Sequence, residues 1–176
     1  MKKVIMGIGI PGSGKTTILK EFADKNGYEY ICPDDIRLEM TGDSSNHTKN
    51  REAWAEAHRR IEKNLNEGKT SVFDATFADS KQRKSFINFT RTHDVEKVQG
   101  VYLDIDLEIA KDRNSMRERK VPDYVLERMS KSLSDLPPEI TDGFDLIVTL
   151  DEEQKLIDAE MMSEQKIIYK EFGKLS

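Results

Sequence analysis

The stretch that most constrains this chain is "GIGIPGSGKTT", residues 7 to 17, which leaves a short apolar segment and enters a helix-forming one. Gly9, four further residues, Gly14, Lys15 and Thr16 fit the spacing G-x-x-x-x-G-K-[ST] without a mismatch. Glycines in such a turn adopt backbone angles closed to other residues, so successive N–H groups converge on one point ahead of a helix N-terminus. That concave field suits an anion, and the strand–turn–helix setting is the one the spacing requires. A plain glycine turn with a surface lysine is the competing reading, and the complete pattern in its context counts against it.

The rest of the chain alternates. "VIMGIGI", "YEYIC", "TSVFDAT", "VQGVYLDI" and "FDLIVTL" are short, apolar and rich in β-branched or aromatic residues. Helix-like segments separate them at 15–25, 50–66, 80–92, 107–116 and 122–133, and a last one is expected over 152–172. Strands alternating with helices predict an α/β sandwich around a mainly parallel five-stranded sheet flanked by helices. Pro122 suits a first helical turn, and Pro137 with Pro138 marks a loop before the last strand. The polar run "TGDSSNHTKN", 41–50, is expected to be mobile. In the expected tail helix, Leu156, Ile157, Met161, Ile167, Ile168 and Phe172 form a stripe that would cover a sheet edge or meet a partner.

With 176 residues, 36% of them hydrophobic, the chain can bury one sizeable core, and one domain over 1–176 is expected. Charged residues make up 35% and no apolar run is long enough to cross a bilayer, so no membrane partner is expected. The two leading lysines resemble a secretory leader, but the apolar stretch runs straight into the glycine turn, which makes it a buried strand. The single cysteine, Cys32, cannot form an internal disulfide, and a reducing cytoplasm fits. A net charge of −5 argues against bulk attraction to nucleic acid, so any such contact must be local. The basic segment "KDRNSMRERK", 111–120, stands apart in sequence from the acidic stretch after Leu150.

Polyphosphate is the anion that matches the glycine turn. Gly12, Ser13 and Gly14 would cradle it, Lys15 would reach the β and γ oxygens of a nucleoside triphosphate such as ATP, and Thr16 would coordinate the Mg²⁺ bridging them. Thr17 either contacts the α-phosphate or is merely tolerated in the first turn. In "PDDIR", 33–37, Asp34 or Asp35 follows the second strand at the sheet edge where ligands gather. Such a carboxylate can take a proton from an attacking hydroxyl, or the pair can cap a helix beginning near Ile36, and both can hold. Arg37, a turn along, can bind a phosphate on the acceptor or lie solvated. Asp74, ending the third strand in "VFDAT", can hold a metal-bound water, fix Arg37 by a bidentate pair, or serve only as a strand-end turn residue. Thr76 can offer a hydroxyl to the acceptor or serve only as a turn residue. Arg113 and Arg117, four apart on one expected helix, would share a face and could close over a transferring phosphoryl group, or form a solvated face. None of the three histidines is assigned chemistry.

With these residues placed, the chain resembles the kinase domain of the bacteriophage-type polynucleotide 5′-hydroxyl kinases, within the P-loop kinases that include zeta-toxin-like enzymes. The resemblance runs from Met1 to about Leu150 and rests on "GIPGSGKTT", "PDDIR", "DAT" and "RNSMRERKVPDYVLERM", the last being the most specific. It implies a P-loop NTPase kinase-type sandwich with a central phosphate-loop strand and an arginine-bearing helical lid over about 111–133. It also implies ATP-dependent phosphorylation of the 5′-OH end of DNA or RNA, with Mg²⁺. Asp34 falls on the general base, Arg37 on the acceptor's phosphate contact, Asp74 on the acid beside it and Arg117 on the lid arginine, which Arg113 supports. The phosphatase motif of bifunctional relatives is absent: "DIDLE" at 104–108 lacks its glycine and threonine, so no phosphatase activity is expected. Phe77 stands where relatives commonly carry a polar residue, and either stacks a base or packs in the core. Two other readings remain: a kinase of small-molecule hydroxyls, and a nucleotide-binding switch without a substrate.

Overall fold

The computed structural model describes residues 2–161. Its strands are β1 Lys3–Ile8, β2 Glu29–Ile31, β3 Ser71–Asp74, β4 Lys97–Leu103, β5 Leu146–Leu150 and β6 Leu156–Met161, in the spatial order β2-β3-β1-β4-β5-β6. The first five run parallel and β6 pairs antiparallel with β5, so the mainly parallel sheet carries one strand more than expected. β1 lies between β3 and β4, which puts the glycine turn at the middle of the sheet's C-terminal edge.

The pleat sends alternate residues of each strand to opposite faces, and the sequence makes both faces apolar. Val4, Met6 and Ile8 of β1, with Phe73, Val98 and Ile147, meet one set of helices. That set is α2 Pro33–Thr41, α3 Asn50–Asn66, α4 Ser80–Arg91, α5 Leu107–Ser115 and α6 Asp123–Asp135. On α3 the buried positions Ala53, Ala57, Ile61 and Leu65 recur at every fourth residue, which forms the stripe a helix needs to lie on a sheet. Ile5, Val72, Val101 and Val148 face the other way, onto Ile18, Leu19, Phe22 and Ala23 of α1 Lys15–Asn26. Gly27, left-handed at φ +66°, ends α1 and lets Tyr28 N–H bond the Ala23 carbonyl.

One expectation changes. The helix expected over 152–172 is not formed in its described part: 156–161 is strand β6. Asp151 accepts from the N–H groups of Glu153 and Lys155, and the chain doubles back onto β5. Pairing with the open edge of β5 satisfies a whole row of backbone groups, and this outweighs the local helix preference of "EEQKLIDAEM". Of the expected stripe, Ile167, Ile168 and Phe172 lie outside the described residues. The polar run 41–50 is built from local turns. Asp43 accepts from Ser45, Asn46 accepts from Thr48, and a short 3₁₀ turn covers His47–Lys49.

Candidate active site

The phosphate loop occupies residues 9–14 between β1 and α1. Gly12 and Gly14 sit at φ +86° and +90°, and a side chain on Gly12 would also run into the Ala110 carbonyl of α5. Alanine is therefore excluded at Gly12 by conformation and by space. Gly9 N–H donates to the Thr76 carbonyl at 3.1 Å, tying the loop to the turn after β3. Gly7, which sequence reading passed over, matters as much: its missing side chain leaves room for Leu19 and for the methylene stem of Lys15.

That stem carries the Lys15 amine to Asp74, which β1–β3 pairing sets level with Gly7. Lys15 Nζ donates to Asp74 Oδ1, while Thr16 Oγ1 and Tyr30 Oη each donate to Oδ2 at 2.6 Å. Burial alone would push the Asp74 carboxyl up; the Lys15 charge and the three donated bonds outweigh it and hold the group below its ordinary value. Burial, then the neighbouring Asp74 charge, pushes the Tyr30 phenol up, so it stays a donor. Tyr30 could have been found in "YEYIC" only by knowing that β2 lies beside β3.

Asp74 therefore serves the phosphate loop. The bidentate Asp74–Arg37 pair entertained from sequence is not made. Arg37 is only 4% exposed; its Nε donates to the Ser44 carbonyl at 3.0 Å, its Nη1 to Asn50 Oδ1 at 2.6 Å, and its Nη2 to Asp34. A guanidinium committed in this way anchors the 41–50 loop and positions Asp34.

α2 starts earlier than expected. Cys32 is its N-cap residue and Pro33 its first residue, so Asp34 and Asp35 lie inside the first turn and neither caps it by side chain. Both still face the positive end of the helix dipole. Asp35 turns toward α1 and pairs with Lys20 at 3.2 Å. Asp34 turns the other way, held on Oδ1 by Arg37 and on Oδ2 by Arg119 Nη1 at 3.2 Å.

Arg119 is the functional candidate that sequence reading missed. α5 ends at Ser115, so Arg113 and Arg117 do not share a helical face: Arg117 lies in the loop beyond. Buried Asn114 closes that loop, its Nδ2 donating to the Val121 carbonyl at 2.8 Å and its Oδ1 accepting from Val121 N–H at 3.1 Å. The loop thus projects Arg117 and Arg119, and Arg119 Nη2 also lies 3.4 Å from His47 Nε2. Arg117 is exposed and makes no ion pair among the described residues. Arg113 donates to the Glu152 carbonyl at 2.9 Å, on the flank where Gln154 approaches Gly14. Thr76 is half-buried beside the loop it holds by its carbonyl, and exposed Thr17 follows Thr16 on α1. Phe77 is in the core, ringed by Trp54, Phe73 and Phe86, and stacks no base.

Residues 4–136 match a family described as an AAA domain. The chain is 26% identical over 156 residues to a mimivirus protein (Acanthamoeba polyphaga mimivirus) named as a bifunctional polynucleotide phosphatase/kinase, covering 85% of this chain. It spans about a third (33%) of that relative's length. Among solved structures, the Pnkp1/Rnl/Hen1 RNA repair complex contains a chain that superposes with a TM-score of 0.69 at 19% identity, over 94% of this chain and 50% of that one. A gluconokinase from Sinorhizobium meliloti 1021 superposes with a TM-score of 0.59 at 16% identity, over 99% and 93%. Among the described residues no helix is long and apolar enough to cross a membrane. The matched span takes in the phosphate loop, both acidic turns and the arginine loop, and the chain belongs to the AAA domain family, with the fold of a P-loop kinase.

Proposed function

We propose that this protein transfers the γ-phosphoryl group of ATP, or another nucleoside triphosphate, to the 5′-hydroxyl end of DNA or RNA. The observation that carries the proposal is the placement of Asp34. It stands at the same sheet edge as the Lys15–Asp74–Thr16 cluster, with an arginine of the lid loop drawn onto it.

The donor side follows from the phosphate loop. N–H groups of Gly12, Ser13 and Gly14 would hold the β-phosphate, and Lys15 would exchange Asp74 for the β and γ oxygens. Thr16 and Asp74 offer hard oxygens already converged on one point, a donor set that fits Mg²⁺. Among the described residues no group of three or more His, Cys, Asp or Glu is placed to hold a metal, so the ion would arrive with the nucleotide. When bound it neutralises charge on the β and γ oxygens. Arg113 and the 151–155 turn flank the loop where the donor's base would lie.

On the acceptor side, Asp34 takes the proton of the attacking hydroxyl as its oxygen bonds to the γ-phosphorus. The bond from that phosphorus to the bridging oxygen breaks and the nucleoside diphosphate leaves. Arg37 fixes the carboxylate; Asp35, pinned to Lys20, and Thr76 line the approach. Arg117, exposed beyond α5, would close over the phosphoryl group and shut out water. The mimivirus relative's name and the fold of the RNA repair chain support a polynucleotide end as acceptor. The gluconokinase, superposing over nearly its whole length, supports the other reading, a small-molecule hydroxyl.

The test is transfer of labelled γ-phosphate, with Mg²⁺, to 5′-hydroxyl oligonucleotides of both sugars beside free nucleosides. Label on the oligonucleotides, lost in Lys15→Ala and Asp34→Asn, is the expected result. Equal labelling of a free nucleoside would favour the small-molecule reading, and full function in Asp34→Asn a switch.

A further inference from the structure

We propose that Tyr30 is a positioning residue for nucleotide loading: its phenol keeps the Asp74 carboxylate hydrogen-bonded when Mg²⁺ and a nucleoside triphosphate draw Lys15 and Thr16 away from it. The inference rests on the nucleotide-binding half of the reading above and gives the donor site a support outside the phosphate loop.

Three observations lead to it. The first is the demand at Asp74. The residue is 2% exposed, and its carboxylate takes bonds from Lys15 on Oδ1 and from Thr16 and Tyr30, each at 2.6 Å, on Oδ2. The second is that two of these donors have another task. Lys15 is needed by the β and γ oxygens and Thr16 by the metal, and both must leave Asp74 to reach them. A buried carboxylate stripped of its donors is costly, so loading would be opposed by the very group that holds the loop ready.

The third observation is where Tyr30 stands. It belongs to β2, with β3 between it and the strand of the phosphate loop, and lies level with Val72, two residues before Asp74 on the same face of β3. Lys20 sits over its ring, with Nζ 5.1 Å from the centroid, and pairs with Asp35 at 3.2 Å. The ring is thus held by a cation at its face and by a carboxylate at its hydroxyl. Loading has no need to move it. Mg²⁺ when bound supplies the positive charge that Lys15 withdraws, and Tyr30 supplies the hydrogen bond that keeps Oδ2 in place. Without the phenol, Asp74 holds Lys15 more firmly and yields it to the nucleotide less readily. The loss falls on loading with metal, because nucleotide alone draws off Lys15 and leaves Thr16 on Oδ2.

The experiment titrates the full chain with a fluorescent ATP analogue carrying a β,γ-imido bridge, in Mg²⁺ and again in EDTA, beside phosphoryl transfer from ATP. Tyr30→Phe removes the hydroxyl and keeps the ring. It is expected to weaken binding about ten- to a hundredfold in Mg²⁺, the span of a charge-assisted bond, and less than about threefold in EDTA. In an Asp74→Asn background the same change should add less than about twofold, since Tyr30 acts through that carboxylate. An equal loss in Mg²⁺ and EDTA, or an undiminished loss in Asp74→Asn, shows a merely structural tyrosine and overturns the proposal, as does unchanged binding in Tyr30→Phe. An intact protein that binds the analogue under neither condition overturns it together with the nucleotide reading. The expected binding pattern without transfer to any acceptor overturns the kinase reading and leaves Tyr30 its role. Transfer and binding at intact levels in Tyr30→Phe do the reverse.

Discussion

Arg83 carries more structural consequence than any residue in the phosphate loop. Its side chain is fully buried, its Nε donates to Asp142 at 2.8 Å, and its other nitrogens bond the carbonyls of Phe77, Ala78, Leu136 and Pro137. These contacts hold Phe77 at φ +45°, directly after the turn that presents Asp74 and Thr76. Arg83→Met leaves Asp142 Oδ2 and several carbonyls without their donor, with only Ser80 and Lys84, among the described residues, near the other carboxylate oxygen, and should cost about 3–5 kcal/mol in urea unfolding. Adding Asp142→Leu should recover much of the loss, because the stranded charge goes too. Gly12 is the second such residue. Gly12→Ala forces a left-handed alanine against the Ala110 carbonyl and should weaken nucleotide binding at least tenfold, about 1.4 kcal/mol, in a fluorescent-nucleotide titration.

Among the elements, the lid loop depends on one pin. Asn114 is buried and its amide makes both hydrogen bonds that close residues 115–120 into a loop. Asn114→Ala should speed amide hydrogen exchange across 115–121 while leaving β1 and β4 unaffected, and cost about 1–3 kcal/mol in stability. Unchanged exchange there would mean that α5 and α6 hold the loop unaided. On α3, His58 stacks on Phe89 at 4.4 Å and meets Trp54 edge-on at 6.1 Å, and its Nε2 is buried without a partner. Burial among these rings pushes the imidazole below its ordinary value of 6.5.

For the whole molecule, that environment makes stability depend on pH in a definite direction. Below 6.5 the unfolded chain takes up a proton at His58 that the folded chain resists, so stability falls as the pH drops from 6.5 toward the lower folded value. His58→Phe should flatten this part of a urea midpoint-versus-pH curve. Asp74 acts lower down. Its folded value lies below the ordinary 3.8, so its contribution is complete above that and is lost as the pH falls through the folded value; Asp74→Asn should remove that limb.

What the sequence determined alone is everything that repeats or is local. The glycine spacing, the strand–helix alternation and the apolar stripes report backbone angles and burial faces, which neighbouring residues impose on one another; these gave five strands of a mainly parallel sheet and a phosphate-binding turn after the first, while the central place of that strand was implied only by the family resemblance. The tertiary structure decided which side chains meet. Whether Arg37 faces an acceptor or is buried on Ser44 and Asn50, whether Asp74 serves arginine or lysine, and whether Arg117 or Arg119 reaches Asp34 all depend on the path of loops. The same holds for the tail, where the open edge of β5 overrode a helical composition. A guanidinium reaches several ångströms in many directions, so only the packed positions of two distant segments select its partner, and no periodicity within one segment records that choice.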